Sequence, residues 1–396
     1  MSDTSSTATH RRVLDVVAGP VRGARGRTLL ANVVLYVLAI LAALSVSALL
    51  IVFATDASPW RVFEAMYDGS LKDGAGIGLS LDKATPILIV ALGAILATRA
   101  GIINIGQEGQ LIMGATVGTA VALEMPGGGF PVILATLFAS FLGGAVWAGI
   151  AALLRFARKV DVVISTLLLN FIAFQVVSFA VNRTWLLRET ALEGQLTVPQ
   201  SDRLPADTHL PRIGTFPDFN VSTAVFIAIV AAIVVTVVIK RTRWGFRLRM
   251  LGLNPLAAAS AGVSVAAFGS VALILSGAFA GLAGGVMLTG TVFRLQPGFS
   301  NNVGFDGLLA ALIARRNPVA AVPVAFFFGV LRAGGGFLAA TGVPRFLVDI
   351  VQSLLVLAAL FPPVFLGLRE RRRQLARARA AARMSDGPVE KEAVAA

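Results

Sequence analysis

Four stretches of this chain, residues 29–54, 131–154, 221–239 and 264–291, run without a single charged side chain. A helix rises about 1.5 Å per residue, so each stretch is about long enough to cross the ~30 Å hydrocarbon core of a bilayer. Several such segments in one chain commit it to a membrane. Composition agrees, because 56% of the residues are hydrophobic and only 14% are charged, against about 25% charged in an ordinary soluble domain. Residues 29–54 are too long for a secretory leader, whose apolar core runs about 7–15 residues. The expected fold is all-α, a polytopic transmembrane helical bundle.

The charges between the apolar stretches set the expected topology. Residues 1–28, with Arg11, Arg12, Arg22, Arg25 and Arg27, read as a cytoplasmic tail. The first span is 29–54, and 55–83 forms an external loop with a short surface helix. A second span, 86–98, closes at Arg99, and a third ends at Leu123. The fourth, 131–154, stops at Arg155, Arg158 and Lys159, and the fifth covers 161–181. Residues 182–220, with four prolines and balanced charge, are placed outside. The sixth span, 221–239, meets the basic run beginning at Lys240, and the seventh is 264–291. Residues 304–331 read as two shortish spans meeting at a cytoplasmic turn, Arg315-Arg316-Asn317-Pro318. A last span, 346–366, precedes an arginine-rich tail.

This gives about ten spans with both termini cytoplasmic, and most of the 34 Lys and Arg fall on the inner side, as the positive-inside rule requires. The net charge of +13 then needs no nucleic-acid partner. The expected domains are the tail 1–28, a transmembrane body 29–368 and a basic, disordered tail 369–396. Five spans per half would permit a 5+5 inverted repeat, although the residues themselves do not display one.

The polar stretch 99–115 organises the rest. It sets Asn104, Gln107, Glu108 and Gln110 between two apolar segments, where a carboxylate costs about 2.5–3.5 kcal/mol on insertion scales. Its glycines, 101, 106, 109 and 114, weaken regular helix and allow close approach. A broken helix lining a cavity is expected, joined by Asn170 and Gln175 of the fifth span and Asp306 at the start of the eighth. Two readings stay open: amide side chains tying helices together, or the wall of a substrate path. Glu108 could face that path or the cytoplasmic interface beside Arg99. In the seventh span Gly277, Gly281, Gly284 and Gly285 invite close helix packing.

The basic loop 245–262 contains a capped helix. Asn254 suits the N-cap, Pro255 the first turn and Gly262 the stop, which predicts two turns lying across the inner surface. Such a helix is either a connector or a docking element for a cytoplasmic partner, and its flanking arginines suit lipid headgroups equally. The chain has no G-x-x-x-x-G-K-[ST], no H-E-x-x-H, no G-x-S-x-G and no cysteine. It therefore has no P-loop of its own and no disulfide or thiolate metal site. No cofactor, metal or catalytic residue is expected.

Four segments carry a resemblance: AGIINIGQEGQLIMGA at 100–115, ISTLLLNFIA at 164–173, GFRLRMLGLNPLAAASAGVSV at 245–265 and GFDGLLAALIARRNP at 304–318. They resemble permease subunits of bacterial ABC importers in the branched-chain amino acid, ribose and nucleoside superfamily. The likeness is strongest to the nucleoside-uptake branch, with its Asn-Ile-Gly-x-Glu-Gly-Gln run. Arg315-Arg316 departs from the Gly and Asn common there.

The resemblance implies a non-enzymatic subunit of the plasma membrane that forms the path for a nucleoside or related solute. A sugar, riboflavin or another flat heterocycle is the alternative. Its implied partners are a second permease subunit, cytoplasmic ATP-binding subunits and an extracytoplasmic substrate-binding lipoprotein. Arg249, Gly252, Asn254, Pro255, Ala258 and Gly262 would couple to the ATPase. Arg183, Arg188, Arg203 and Arg212 would help seat the binding protein. A rival from another class is an ion-coupled carrier with Glu108 or Asp306 as its proton site.

Overall fold

The computed structural model describes residues 58–190, 198–215 and 217–340, with further helical positions among 34–53 and 350–376. The chain divides into two units, one of residues 57–348 and one of residues 1–56 with 349–396. In the smaller unit an apolar helix covers Leu41–Leu50, with Ala43 and Ser47 buried. The expected first and last spans and both tails otherwise lie outside the described residues.

The larger unit is a helical bundle. Its helices are α1 (Pro59–Asp68), α2 (Gly74–Arg99), α3 (Gln107–Glu124), α4 (Phe130–Arg158), α5 (Val162–Ala180), α6 (Ala224–Arg241), α7 (Arg243–Leu253), α8 (Pro255–Ser260), α9 (Val265–Met287), α10 (Val303–Ile313) and α11 (Pro318–Ala340). Six helices among the described residues are long and apolar enough to span: α2, α4, α5, α6, α9 and α11. At the core sit α2 and α9, which pack on each other and on α3, α4, α10 and α11 between them. The apolar window of α2 is 83% buried, against 28% for α4, so α4 belongs to the rim.

Polar N-caps start these helices where their first N–H groups would otherwise be unpaired. Asp73 caps α2 through Gly76 N, Asp161 caps α5, Thr242 caps α7 and Ser264 caps α9. α4 ends in Lys159, left-handed at φ 60°, after Arg155 and Arg158 in its last turn, where cations complement the helix dipole.

Glycine and serine fix how closely α3, α4 and α9 approach. A Cβ on Gly114 would strike Gly281 Cα, one on Gly281 the Ser140 carbonyl oxygen, and one on Gly144 the Gly277 carbonyl oxygen. The three backbones therefore touch along a seam, as the glycine spacing of the seventh span predicts.

Three sequence expectations are corrected. The second span begins at Gly74, with Asp82, Lys83 and Pro86 inside α2. Asp82 can enter the helix because Arg212 and Ser222 N satisfy its carboxylate. α10 holds only eleven residues, about 16 Å, so the helix itself covers only about half of a bilayer. The basic run after Lys240 forms α7, a helix the capped-helix reading omitted.

Two ends can be told apart. At one, the long segment after α5 is strapped onto the end of α9, where Ser201 N, Leu204 N and Leu210 N donate to Leu295 O, Phe293 O and Thr289 O. It ends in a hairpin of β1 (Arg212–Gly214) and β2 (Asn220–Ser222), antiparallel with Ile213 opposite Val221. α9 finishes there in a π turn, Leu288–Val292. At the other end lie the C-termini of α2, α4 and α10 with α7, rich in arginine.

Candidate functional site

The site is built where α3 starts. Residues 100–106 leave α2 at the arginine-rich end and run inward, and Asn104 meets Ser276 near the middle of α9. α3 thus begins at mid-depth, where no water is at hand for its first N–H groups. Side-chain amides replace it. Asn104 Oδ1 accepts from Gly106 N at 3.0 Å, and Asn170 Oδ1, reaching over from α5, accepts from Gly109 N at 2.9 Å. Asn170 Nδ2 also donates to Ile105 O at 3.0 Å. Asn104 Nδ2 donates to Gln110 Oε1 at 2.8 Å and to Ser276 Oγ at 3.0 Å, which Gln107 Nε2 reaches at 3.2 Å.

Glu108 turns toward a second helix start. α10 also begins at mid-depth, with Gly307 against Val90 of α2, and the Glu108 carboxylate accepts from Gly304 N at 2.7 Å. Gly304 has no room for a Cβ beside the Glu108 backbone. Two half-buried helices therefore meet N-terminus to N-terminus, and one carboxylate caps the junction, where helix dipoles favour negative charge. Asn104, Gln107, Glu108, Gln110 and Asn170 are all at most 2% exposed. Two acceptors in this band, Gln107 Oε1 and Glu108 Oε1, have no hydrogen-bond partner.

The remaining expected residues lie elsewhere. Gln175 is exposed on the outer face of α5, beside Phe171 and Ile172, and does not join the cluster. Asp306 pairs with Arg332 of α11, Nε to Oδ2 at 2.6 Å, and Arg332 also donates to Asn301 O.

In the basic loop Asn254 caps α8 through Leu256 N and Ala257 N, Pro255 opens it, and Gly262 follows at φ 79°. Ala258, expected to face a partner, is fully buried. Leu253 and Leu256, exposed by 86% and 82%, are the side chains presented outward. Gly252 lies against the end of α2, and Arg249 is partly buried.

Arg332, Ser276 and the Asp82–Arg212 pair are absent from the sequence reading. The lone charge of Arg332 in an apolar run was a readable signal, whereas Ser276 and Asp82 declare themselves only through distant partners. At the hairpin end Arg212 also bonds Asn220 and Gly290 O, and Arg203 and Arg183 lie over Phe293 and Phe179. A cavity of about 310 Å³ there is lined by Asp68, Asp73, Asp82, Asp218, Arg212 and Phe337 among others. Beside it Lys72 bonds Asp68 at 2.8 Å, and that bond together with the Asp68 charge raises its ammonium pKa above the ordinary value. Among the described residues no group of three or more His, Asp or Glu could hold a metal.

Two helix starts buried at mid-depth inside a multi-helix membrane body are the kind of broken-helix arrangement found in transport proteins. The chain belongs to the family described as branched-chain amino acid transport system, permease component, which matches residues 77–360. It is 34% identical over 330 residues to the glucose ABC transporter permease protein TsgB13 of Haloferax volcanii, covering 81% of this chain and 85% of the relative. It is 29% identical to the guanosine ABC transporter permease protein NupP of Bacillus subtilis, over 74% of this chain and 84% of that one. With the nucleoside ABC transporter permease protein NupB of Lactococcus lactis it shares 26% identity, over 78% and 85%. No solved structure matches the chain. Membership makes this a multi-pass permease subunit and not an enzyme, with ATP-binding subunits and a substrate-binding protein as its implied partners.

Proposed function

We propose that the chain forms, with a second permease subunit, the path by which a nucleoside crosses a bacterial plasma membrane. The observation that carries this is the family match, with guanosine or nucleoside permeases among its relatives. The buried acceptor oxygen of Gln107, which has no hydrogen-bond partner, supports a solute rich in hydroxyl donors, with Asn104, Glu108, Gln110 and Asn170 in the same band and Asp306 beside it, paired with Arg332. A sugar is the second reading, favoured by the 34% identity to a glucose permease. Haloferax volcanii, Bacillus subtilis and Lactococcus lactis each contribute two permeases to the relatives, which favours a pair of different subunits.

By the positive-inside rule the arginine-rich end is cytoplasmic, and the hairpin end then faces the binding protein. About ten spans, both termini inside and a 5+5 inverted repeat agree with the two opposed helix starts, α3 and α10. The body is then 29–368, between tails 1–28 and 369–396. The α7–α8 elbow is the ATPase contact, made by Leu253 and Leu256 over a frame of Arg249, Gly252, Asn254, Pro255, Ala258 and Gly262. Gln175, an amide on an apolar face, is best satisfied where α5 meets the path or the second subunit.

The test is uptake of labelled guanosine by cells with and without this chain, competed by unlabelled nucleosides or glucose. Loss of guanosine uptake on deletion, insensitive to a proton uncoupler over the first seconds, supports the reading. Competition by glucose alone transfers it to the sugar, and collapse with the uncoupler points to an ion-coupled carrier.

A further inference from the structure

Three segments far apart in sequence close on one another at the arginine-rich end. The end of α7 is pressed to the end of α2: a Cβ on Gly252 would strike the Arg99 carbonyl oxygen, and Gly101, left-handed at φ 79°, faces Gly252 in turn. α2 is then bonded twice to the turn after α10. Arg99 Nε donates to Arg316 O at 2.9 Å, and Arg316 Nη1 donates back to Thr98 O at 3.3 Å. Both bonds span more than two hundred residues of chain. Arg315 and Arg316 hold left-handed backbone, at φ 51° and 59°, a conformation that suits Gly or Asn and costs an arginine. The side chain of Arg316 has a purpose there that the turn itself does not supply.

We propose that Arg99 and Arg316 are positioning residues that carry displacement of the α7–α8 elbow to the half-helix α10, and so to the Glu108–Gly304 junction. The inference rests on the elbow being the ATPase contact. A backbone pressed on a backbone at Gly252 leaves no side chain to yield, so α7 and the end of α2 move together. The other exit from the elbow is compliant. Gly262 has open space around it and residues 259–262 are exposed, while α9 beyond is fixed in the glycine seam. α10 is suited to receive the motion because it is short and gripped at both ends, by Arg99 at one and by Glu108 and Arg332 at the other.

The test uses the whole transporter, purified through this chain with its ATPase and second permease and reconstituted with its binding protein. Guanosine transported and ATP hydrolysed are measured together. Arg316→Gly keeps the left-handed turn and removes the whole side chain with its guanidinium; Arg99→Gln removes the reciprocal donor; Leu256→Glu tests the elbow. Each arginine variant is expected to lower guanosine moved per ATP by about fivefold or more, in the usual range of coupling between sites, with hydrolysis largely retained. The double variant is expected to be at least as severe as either single one, because each single variant leaves one of the two parallel bonds standing. Parallel loss of transport and hydrolysis, or a double variant that couples normally, overturns the proposal. Uncoupling in Leu256→Glu with normal ratios in both arginine variants overturns the relay and leaves the elbow contact standing. Intact coupling in Leu256→Glu removes both.

Discussion

Arg212→Ala should destabilise the chain more than Asp82→Ala, and the double variant should recover part of the loss. The Asp82 side chain is 4% exposed and receives two donors, Arg212 Nη2 at 2.5 Å and Ser222 N at 2.8 Å. Removing Arg212 leaves a buried carboxylate with one neutral donor, a situation that costs about 3–5 kcal/mol when one member of a buried pair is lost. Removing Asp82 strands little charge, because Arg212 is 36% exposed and turns to water. What remains unpaid is the buried Ser222 N–H, about 1–3 kcal/mol. The double variant has no stranded carboxylate and should resemble Asp82→Ala. The assay is denaturant unfolding in mixed micelles, followed by tryptophan fluorescence. If Arg212→Ala is as stable as the parent, or the double is less stable than Arg212→Ala, the pair does not pin the hairpin to α2. A docking-only role for Arg212 predicts that first result.

Gly281→Leu must displace the backbones of Ser140 and Gly144, a cost of about 3 kcal/mol or more given overpacking and backbone shifts; protein missing from the membrane fraction, beside a normal level of Gly149→Leu, is the expected result, since Gly149 has open space. Arg332→Leu should lower stability by about 3 kcal/mol, and Asp306→Asn/Arg332→Leu should restore most of it; equal instability in both would separate the pair. In this cysteine-free chain Gln175→Cys should react with a membrane-impermeant maleimide in at least one transport state while Asn170→Cys stays protected in the resting state. The reverse order would misplace the α5 face.

Element boundaries were legible wherever a charge or cap stood at the membrane edge, as at Arg155, Asp161 and Lys240. Legibility failed where a charge was satisfied from afar. Asp82 looked like loop because its partner lies 130 residues away, and the half-length of α10 was hidden because Gly304 is capped by Glu108, not by its own neighbours. The polar stretch was recognised, including its break, since amides between apolar runs demand partners; which partners they found was a matter of tertiary packing. Gln175 shows the limit from the other side, because a span without strong amphipathicity does not reveal which face its one amide takes. The α8 cap was readable from Asn254-Pro255, but the burial of Ala258 was not, as an alanine gives no sign of which way it points.

The contact of three backbones along α3, α4 and α9 also decides which parts of this molecule can change shape. A helix pair separated by long side chains can slide by rotamer exchange, whereas one in which carbonyl oxygens and Cα atoms touch has no such slack. Residues 107–158 and 265–287 therefore behave as a stiff chassis that keeps its mutual distances through a transport cycle. Spin labels on α4 and α9 should report one constant separation whatever nucleotide is bound.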